Sequence, residues 1–426
     1  MLEFKLREIY KMKQTTKTIL NDLRDFLRWS FVAVLVGIVI GAVGVAFVKG
    51  LHFVNDLRAA NPSVILGLPL GGILIVALYK YCNYENDKGT NLIISTIHSK
   101  TEIPFRMAPL IFISTIITHL FGGSAGREGA ALQLGGSIAN QMARFFKAKE
   151  NDSRMMVMSG MSAAFAAIFG TPMAAVIFAM EVNSVGTMYY SAFVPCVISA
   201  LVASSFAGKF GVHAEFFGNV ESLNFELVPA IKFAFLGICC AFLSVIFCII
   251  MHKVGKWYKM HLKNAYLRIV IASCVIIALT YFLGTNAYSG AGVNLIEEAI
   301  AGHAPSSAFL WKMIFTAITL GAGFKGGEIV PSFAIGACFG CVFASIIGLP
   351  ASTCAAVGMI AMFCGVTNSP IASMIIGFEL FGFDIMKYLL ISVSISYMLS
   401  GYYSLYHEQK IVYSKFQPQY INQKTK

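Results

Sequence analysis

A run of apolar or small residues extends from Trp29 to Val48 and is followed directly by Lys49. As a helix, its 20 residues would cover roughly 30 Å, which is the thickness of the hydrocarbon core of a membrane. Hydrophobic residues make up 57% of the 426 residues and charged residues only 12%, which excludes an ordinary soluble protein. The run therefore predicts a membrane-spanning helix in a protein that contains many such segments.

Apolar stretches continue along the chain, but several contain only about 11–18 residues, fewer than the roughly 20 that a full span needs. Short or irregular segments at membrane depth must be buried in protein or line a cavity, because lipid satisfies no backbone hydrogen bonds. The stretches lie near residues 62–82, 107–121, 130–146, 155–182, 187–210, 228–252, 266–283, 308–324, 330–349, 351–365, 370–382 and 385–403. We therefore predict an all-α polytopic membrane protein with broken and tilted helices.

Residues 122–137 read GGSAGREGAALQLGGS and place Arg127 and Glu128 in a glycine-rich turn between apolar segments. Charged side chains at membrane depth are costly and mark functional sites. The small and apolar residues that follow can form a helix beginning near Gly129. The unpaired N–H groups at such a helix start attract an anion. The turn therefore predicts a site that holds either the Glu128 carboxylate or a solute anion.

A related turn occurs 200 positions later in the chain. Residues 323–330 read GFKGGEIV against GSAGREGA at 123–130, so Glu328 stands in the place of Glu128. Paired, interrupted apolar segments in two halves of a chain indicate a transporter with a site at the membrane midplane. We predict two inverted-topology repeats that meet at this site.

Each half also contains a proline that is followed nine residues later by a glutamate. These pairs are Pro172 with Glu181 and Pro370 with Glu379. Proline is favoured in the first turn of a helix, so each pair marks a second helix start in its half. We interpret the two glutamates as caps or ion-pair partners at helix ends, with proton transfer as the alternative.

The predicted repeats occupy residues 29–215 and 225–406 and together form one transmembrane domain. Residues 1–28 precede it as a polar segment with seven Lys/Arg, four acidic residues and no signal-peptide pattern. A short polar tail, residues 407–426, follows it. Because basic segments favour the cytoplasmic side of a membrane, we expect both termini in the cytoplasm.

Several other functions do not fit the sequence. The net charge of +11 is scattered over loops and segment ends, so membrane topology explains it better than nucleic-acid binding. The ten cysteines lie mostly in apolar segments, and the C-x-x-C at Cys338–Cys341 lacks a partner motif for a metal. The apolar segments contain no Ser/His/Asp grouping or H-E-x-x-H motif, and His119 is interpreted as a helix-packing residue. We expect no enzyme activity, no metal and no cofactor.

Three sequence blocks resemble the signature motifs of the CLC family of chloride channels and anion/proton antiporters. They are GREGAALQLGGS at 126–137, FGTPMAAVIFAMEV at 169–182 and GGEIVPSFAIGA at 326–337. The resemblance covers about residues 30–406. It implies the CLC-type fold with inverted repeats, and a homodimer in the lipid bilayer with one pathway in each subunit.

The resemblance also implies roles for individual residues. Glu128 stands in the place of the family's gating glutamate, which carries the proton. The pore-lining tyrosine maps to Tyr406, with Tyr402 and Tyr403 as alternatives. The residues expected to surround the anion are Thr90, Asn91, Gly126, Arg127, Gly129, Glu328, Ile329 and Tyr406.

Three departures from the chloride members resemble the fluoride/proton antiporter branch, CLC-F. The turn Gly89-Thr90-Asn91-Leu92 lacks the Ser and Pro of the G-S-G-I-P motif, although the branch often has Met in place of Thr90. Val182 stands where chloride antiporters carry an inner proton-relay acid, and Glu328 stands where they carry an apolar residue. The resemblance implies an inner-membrane antiporter that exports fluoride in exchange for protons. A chloride-selective channel or chloride/proton antiporter is the alternative.

A fixed negative charge on Glu328 would repel an anion, so this side chain must be neutralised, either by protonation or by a cation. One interpretation is an ion pair with Lys325 or Arg127 that holds the second turn. The other is that Glu328 receives or stabilises the Glu128 side chain when it swings inward.

Overall fold

A computed structural model of the chain describes residues 2–99 and 101–426, apart from the side chains of residues 2, 3 and 5–13. Within this part most residues lie in sixteen α-helices, which confirms the predicted all-α bundle. The first eight are α1 (Leu2–Ala60), α2 (Leu68–Tyr81), α3 (Thr90–His98), α4 (Met107–Leu120), α5 (Glu128–Phe145), α6 (Glu150–Phe169), α7 (Pro172–Glu181) and α8 (Phe193–Lys209). The second eight are α9 (Leu227–His261), α10 (Ala265–Leu283), α11 (Val293–Ile300), α12 (Ala308–Ala322), α13 (Ile329–Ile347), α14 (Ala351–Thr367), α15 (Pro370–Phe381) and α16 (Met386–Leu399).

The two sets of eight helices follow one another in the same order. Helices α5 and α13 both start at a Gly/Glu turn, and α7 and α15 both start at a proline. Helix α5 packs along α6 in the first half, and α13 packs along α14 in the second. This correspondence is the one expected for two structural repeats.

Glycines allow two helix backbones to touch at the corresponding place in each half. A Cβ atom on Gly135 of α5 would lie 2.1 Å from the carbonyl oxygen of Gly160 on α6. A Cβ atom on Gly336 of α13 would lie 2.5 Å from the carbonyl oxygen of Gly358 on α14. Small residues at such contacts are typical of membrane helices, where van der Waals packing drives association.

The two halves share an apolar core that includes a closed ring of five phenylalanines. They are Phe165 and Phe169 of α6, Phe178 of α7, Phe333 of α13 and Phe363 of α14, all fully buried. The centroid of each phenyl ring lies between 5.0 and 5.7 Å from the centroid of the next phenyl ring in this group. Tilted aromatic pairs at this distance attract each other beyond their burial. These five side chains therefore join the two halves of the protein.

Among the described residues, six helical segments are long and apolar enough to cross a membrane. They contain α1, α2, α8, α9, α10 and α13. Six other apolar helices have only 10–17 residues, namely α4, α7, α12, α14, α15 and α16. The chain is therefore a multi-pass membrane protein with interrupted helices, as its apolar segments predicted.

A small three-stranded sheet was not predicted. Strand β1 (Ser184–Val185) pairs in parallel with β2 (Lys410–Tyr413), and β2 pairs antiparallel with β3 (Tyr420–Lys424). The tail of residues 407–426 is therefore an ordered hairpin attached to the segment after α7. The sequence did not reveal it because strands this short carry little alternation.

The predicted boundary after residue 28, between the N-terminal segment and the transmembrane domain, does not coincide with the end of a helix. Helix α1 passes through residue 28 without interruption, although Met1 and part of the segment's side chains lie outside the described part. Residues 210–226 form the linker between α8 and α9. The division of the repeats between residues 215 and 225 stays a prediction.

Candidate functional site

The two glycine-rich turns lie against each other. The amide of Gly126 donates to the carbonyl oxygen of Gly327 at 2.7 Å, and the amide of Gly327 donates to the carbonyl oxygen of Gly126 at 2.7 Å. A Cβ atom on Gly327 would lie 2.5 Å from the amide nitrogen of Gly129, so a larger residue would force the turns apart. The contact places the starts of α5 and α13 side by side. Their unpaired amides therefore serve one common site.

The Glu128 side chain is fully buried at the start of α5. Its Oε2 atom accepts a hydrogen bond from the amide of Arg127 at 3.1 Å. Its Oε1 atom lies 3.4 Å from Arg127 Nε, close enough for an ion pair, yet it accepts no aligned hydrogen bond from the described residues. The carboxylate therefore occupies the place beside the helix amides where an anion could also bind.

Arg127 lies between two carboxylates. Its Nε faces Glu128, and its Nη2 donates to Oε1 of Glu215. Glu215 belongs to the linker between the two halves, where no motif pointed to it. The linker therefore reaches the first turn and binds its arginine.

A cavity of about 240 Å³ adjoins this group. Its lining includes His52, Asp56, His119, Glu128 and Glu215. The Nε2 atom of His119 lies 3.5 Å from the carbonyl oxygen of Gly126, at the limit of a hydrogen bond. The cavity therefore lies directly beside the carboxylate of Glu128.

Glu328 directs its carboxylate across the junction of the two turns. Its Oε2 atom is buried and has no hydrogen-bond partner among the described residues. A Cβ atom on Gly129 would lie 3.2 Å from this oxygen and 3.6 Å from Thr90 Oγ1. Glu328 therefore faces the start of α5 and the threonine of the first-half turn.

The proposed ion pair between Glu328 and a nearby cation is wrong. Lys325 Nζ instead contacts Asp87 Oδ2 at 2.7 Å and lies 4.3 Å from the ring centroid of Tyr79. Arg127 is occupied by the two other carboxylates. Lys325 is close to Glu328 in sequence, but the side chain of Lys325 reaches the loop before α3 instead.

The carboxylate of Asp87, which pairs with Lys325, is ionised. Burial favours the neutral form of Asp87, but the Lys325 ammonium and the amide of Gly89 hold its pKa below the ordinary value. This pair ties the loop before α3 to the loop before α13. It thereby fixes the position of the Thr90 turn relative to the second turn.

Thr90 and Asn91 point in different directions. Thr90 is buried, donates to the carbonyl oxygen of Gly129 at 3.4 Å, and accepts from Gln133 Nε2 at 3.2 Å. Asn91 Oδ1 accepts from the amide of Glu408 at 3.1 Å. Thr90 therefore belongs to the junction of the turns, whereas the Asn91 oxygen is bound by the C-terminal segment.

Of the three candidate tyrosines, Tyr406 has the geometry expected of a pore residue. It is 1% exposed, and its hydroxyl has no hydrogen-bond partner within residues 2–99 and 101–426. Its hydroxyl is also within electrostatic reach of both Glu128 and Glu328. Tyr402 instead bonds Ser414 at 2.8 Å, and Tyr403 is half-buried.

The structure thus brings most of the predicted site residues to one place. Gly126, Arg127, Glu128 and Gly129 meet Glu328 and Ile329 at the paired helix starts, with Thr90 beside them and Tyr406 within electrostatic range of both glutamates. Asn91 lies at the edge of this group. Two additional polar groups join them: Glu215 comes from a linker without a recognisable motif, and Gln133 lies in the motif at 126–137 but was not singled out.

Lys312 is a further buried charge that sequence reasoning missed. Its Nζ donates to Gly290 O at 2.7 Å, Ser124 Oγ at 3.0 Å and Tyr288 O at 3.2 Å. In the part of the chain that the structure describes, no carboxylate pairs with it. Its position in the apolar stretch 308–324 was a signal that could have been used.

Interrupted membrane helices in two repeats, with glycine-rich turns that meet around a buried carboxylate, define a membrane transport protein. Residues 71–401 match the family model described as voltage gated chloride channel. The chain therefore belongs to this family, the CLC family of channels and transporters.

Individual relatives agree with this membership. The chain is 36% identical over 404 residues to the "Chloride/fluoride channel protein" of Pseudomonas syringae pv. tomato, covering 92% of this chain and 89% of the relative. It is 24% identical over 383 residues to the "H(+)/Cl(-) exchange transporter ClcA" of Vibrio vulnificus, covering 82% of this chain and 81% of the relative.

Solved structures share the fold. The crystal structure of a CLC-type fluoride/proton antiporter is 33% identical, with a TM-score of 0.86, and the match covers 90% of this chain and 98% of that one. A slow cyanobacterial Cl⁻/H⁺ antiporter is 20% identical, with a TM-score of 0.74, and the match covers 88% of this chain and 94% of that one. The second match supports the fold alone.

Proposed function

We propose that this protein is a fluoride/proton antiporter that exports fluoride. The observation that carries the proposal is the Glu128 carboxylate, which lies buried on the amides at the start of α5. An anion and this carboxylate compete for the same donors, so one must leave when the other binds. The relative named for fluoride and the structure titled as a fluoride/proton antiporter support fluoride as the anion.

Fluoride is small and strongly hydrated, so its transfer from water requires several direct hydrogen-bond donors. The amides at the paired turns supply donors from two helix starts. The Tyr406 hydroxyl adds a donor from another segment. The free hydroxyl of Tyr406 supports this assignment, because a buried hydroxyl normally has a partner.

Proton exchange follows from the two states of Glu128. Ionised, its carboxylate stays on the helix amides and excludes fluoride. Protonated, it loses its attraction for the amides and for Arg127, and it moves away while fluoride binds. Proton movement in one direction is therefore coupled to fluoride movement in the other.

Glu328 is the proposed inner partner of Glu128. Its unpaired Oε2 atom faces Gly129, close to the path that an inward-swinging side chain would follow. A protonated Glu128 could donate to this oxygen. The second carboxyl thus stabilises the inward state, and because no cation among the described residues pairs with it, it must itself be protonated when fluoride is bound.

Orientation and assembly belong to the same proposal. We place both termini in the cytoplasm of the inner membrane and pair two subunits as a homodimer, each with its own pathway. The basic residues of segment 1–28 support the orientation. Labelling of single cysteines at residues 17 and 426 in sealed vesicles tests the orientation. Cross-linking in the membrane tests the dimer.

Efflux from proteoliposomes tests the transport function. Vesicles loaded with fluoride or with chloride are diluted into salt-free buffer, and the released anion is followed with a selective electrode. We expect fluoride release that is accompanied by proton uptake and much slower chloride release. An imposed pH gradient should drive fluoride against its concentration gradient. Equal rates for both anions would favour the chloride alternative, and fluoride release without proton movement would indicate a channel.

A further inference from the structure

The C-terminal hairpin, residues 407–426, is attached to both halves of the protein. Gln409 Nε2 donates to Val182 O at 2.8 Å, at the end of α7, and to Thr367 O at 2.7 Å, at the end of α14. Gln409 Oε1 accepts from Asn368 Nδ2 at 2.9 Å. A fully buried glutamine with all these bonds made is a rigid anchor for the segment around it.

The hairpin also holds the backbone of Tyr406. The hydroxyl of Thr425, in the last residues of the chain, donates to Tyr406 O at 2.6 Å. The amide of Gln409 donates to the same oxygen at 3.1 Å. The amide of Thr425 donates to Gln409 O at 3.1 Å, which closes the end of the chain onto the tyrosine. The backbone position of Tyr406, from which its ring extends, therefore depends on Thr425 and Gln409.

A second contact sets the direction of Asn91. The amide of Glu408 is a donor, so the atom of the Asn91 carboxamide that it contacts at 3.1 Å must be the oxygen. The NH₂ group of Asn91 is then turned away from the hairpin, and its Nδ2 atom makes no hydrogen bond to the described residues. The donor end of this carboxamide therefore has no protein partner among the described residues and is free to bind an anion.

We propose that the hairpin is a selectivity element: the Glu408 amide orients the Asn91 carboxamide, and Thr425 fixes Tyr406, so that both present donors to fluoride. The inference rests on the proposed transport function and adds positioning groups to it. Fluoride requires more direct donors than chloride because its hydration is stronger. Loosening these two donors therefore weakens fluoride binding more than chloride binding.

The Asn91 contact is tested by Glu408→Pro, which removes the amide hydrogen, against Glu408→Ala, which keeps it. The alanine variant loses only the exposed ion pair of the side chain with Lys424. We expect Glu408→Pro to raise the KM for fluoride about tenfold, the effect of losing one hydrogen bond to an ion, and to reduce the fluoride-to-chloride rate ratio. Glu408→Ala should stay within about twofold of wild type, as expected for an exposed ion pair.

A double variant separates positioning from general damage. In an Asn91→Ala background, Glu408→Pro should cause no further change in the fluoride-to-chloride ratio, because the group that it orients is gone. An additional loss of the same size would contradict the proposal, since it would show that the proline acts by another route.

The Tyr406 contact is tested by two variants, Thr425→Val and Thr425→Ser. This test does not require that the protein tolerates proline at position 408. Valine keeps the shape but removes the hydroxyl, and serine restores it. We expect a lower fluoride-to-chloride ratio with valine and recovery with serine. Unchanged selectivity in Thr425→Val and in a Glu408→Pro protein that folds would overturn the inference.

The behaviour of the wild-type protein separates a failure of the hairpin proposal from a failure of the proposed transport function. If it releases fluoride selectively and the variants do the same, the hairpin proposal fails while the transport function stands. If wild type itself does not prefer fluoride, the proposed function fails and the hairpin proposal falls with it.

Discussion

Glu181 and Glu379 each cap the helix that carries the other. The carboxylate of Glu181 accepts from the amides of Ile371 and Ala372 at 3.1 and 2.8 Å, in the first turn of α15. The carboxylate of Glu379 accepts from the amides of Met173 and Ala174 at 2.9 and 2.8 Å, in the first turn of α7. This geometry is that of reciprocal caps across the two repeats, and it favours the structural interpretation over a proton-carrying role.

Glu181→Gln and Glu379→Gln should therefore lower stability without uncoupling transport. Glutamine keeps one acceptor oxygen but loses the charge that favours a helix start, so we expect a loss of about 1–2 kcal/mol for each. Thermal unfolding in detergent measures this loss. Proton-coupled fluoride transport by Glu181→Gln should persist, and its disappearance would return this residue to the proton pathway.

Glu128→Gln should abolish proton-coupled fluoride movement. Glutamine has nearly the same shape but can neither ionise nor carry a proton, so coupled transport should fall by roughly 100-fold or more. Proteoliposomes with a fluoride gradient and a pH-sensitive dye measure the coupling, whether or not an uncoupled leak remains. Glu221→Gln, on the exposed linker, is the control. A Glu128→Gln protein that still drives protons uphill would exclude this mechanism and make His119 and Glu328 the next candidates.

Glu328→Gln separates the remaining role of the second carboxyl from a structural one. Because Glu328 forms no pair with Lys325, its loss should leave the turn intact but remove the acceptor for an inward Glu128. We expect slower coupled transport and a thermal stability close to wild type. Normal coupled transport in Glu328→Gln would show that the inward partner is another group.

The pair between Asp87 and Lys325 should make stability depend on pH. The pKa of Asp87 is lowered, because the effects of Lys325 and of the Gly89 amide outweigh that of burial. A lowered pKa means that the pair's contribution is fully present above the ordinary aspartate pKa and is lost as pH falls through the lowered value. Asp87→Asn should therefore have a lower Tm than wild type at pH 7, and the difference should shrink in acid. A difference that does not change with pH would contradict this account.

Gly135→Ala should disrupt the contact between α5 and α6. The added methyl group would lie 2.1 Å from a backbone oxygen, which cannot move as a side chain could. Gly208→Ala is a matched control, because a Cβ atom there has no neighbour within 4 Å. We expect the first variant to lose at least about 3 kcal/mol or fail to assemble, and the second to stay within about 1 kcal/mol of wild type. Equal stability of the two variants would show that the backbones can separate without cost.

The sequence alone determined the membrane class and the repeated architecture. Length and apolarity decide whether a segment enters a membrane, and both are local properties. The 200-residue offset between the turns of Glu128 and Glu328 made the repeats visible, because each turn needs glycine where backbones touch. The helix starts at Pro172 and Pro370 were also predicted correctly, because proline is favoured in the first turn of a helix.

Tertiary structure decided which charged groups pair with which. Lys325 lies three residues from Glu328 but reaches Asp87, and Arg127 is shared with Glu215 from a linker far along the chain. Side chains four to six atoms long can reach several partners, so their choice depends on the packing of distant loops. Chain proximity therefore predicted the wrong partner for Glu328.

The hairpin that holds Tyr406 and Asn91 also became visible only in the folded chain. Its strands are short, and the bonds of Thr425 and of the Glu408 amide join residues that lie 19 and 317 positions from their partners. Backbone amides carry no sequence signature, so a site built from them is decided by the fold. The sequence determined which groups could bind an anion, and the tertiary structure decided where each of them points.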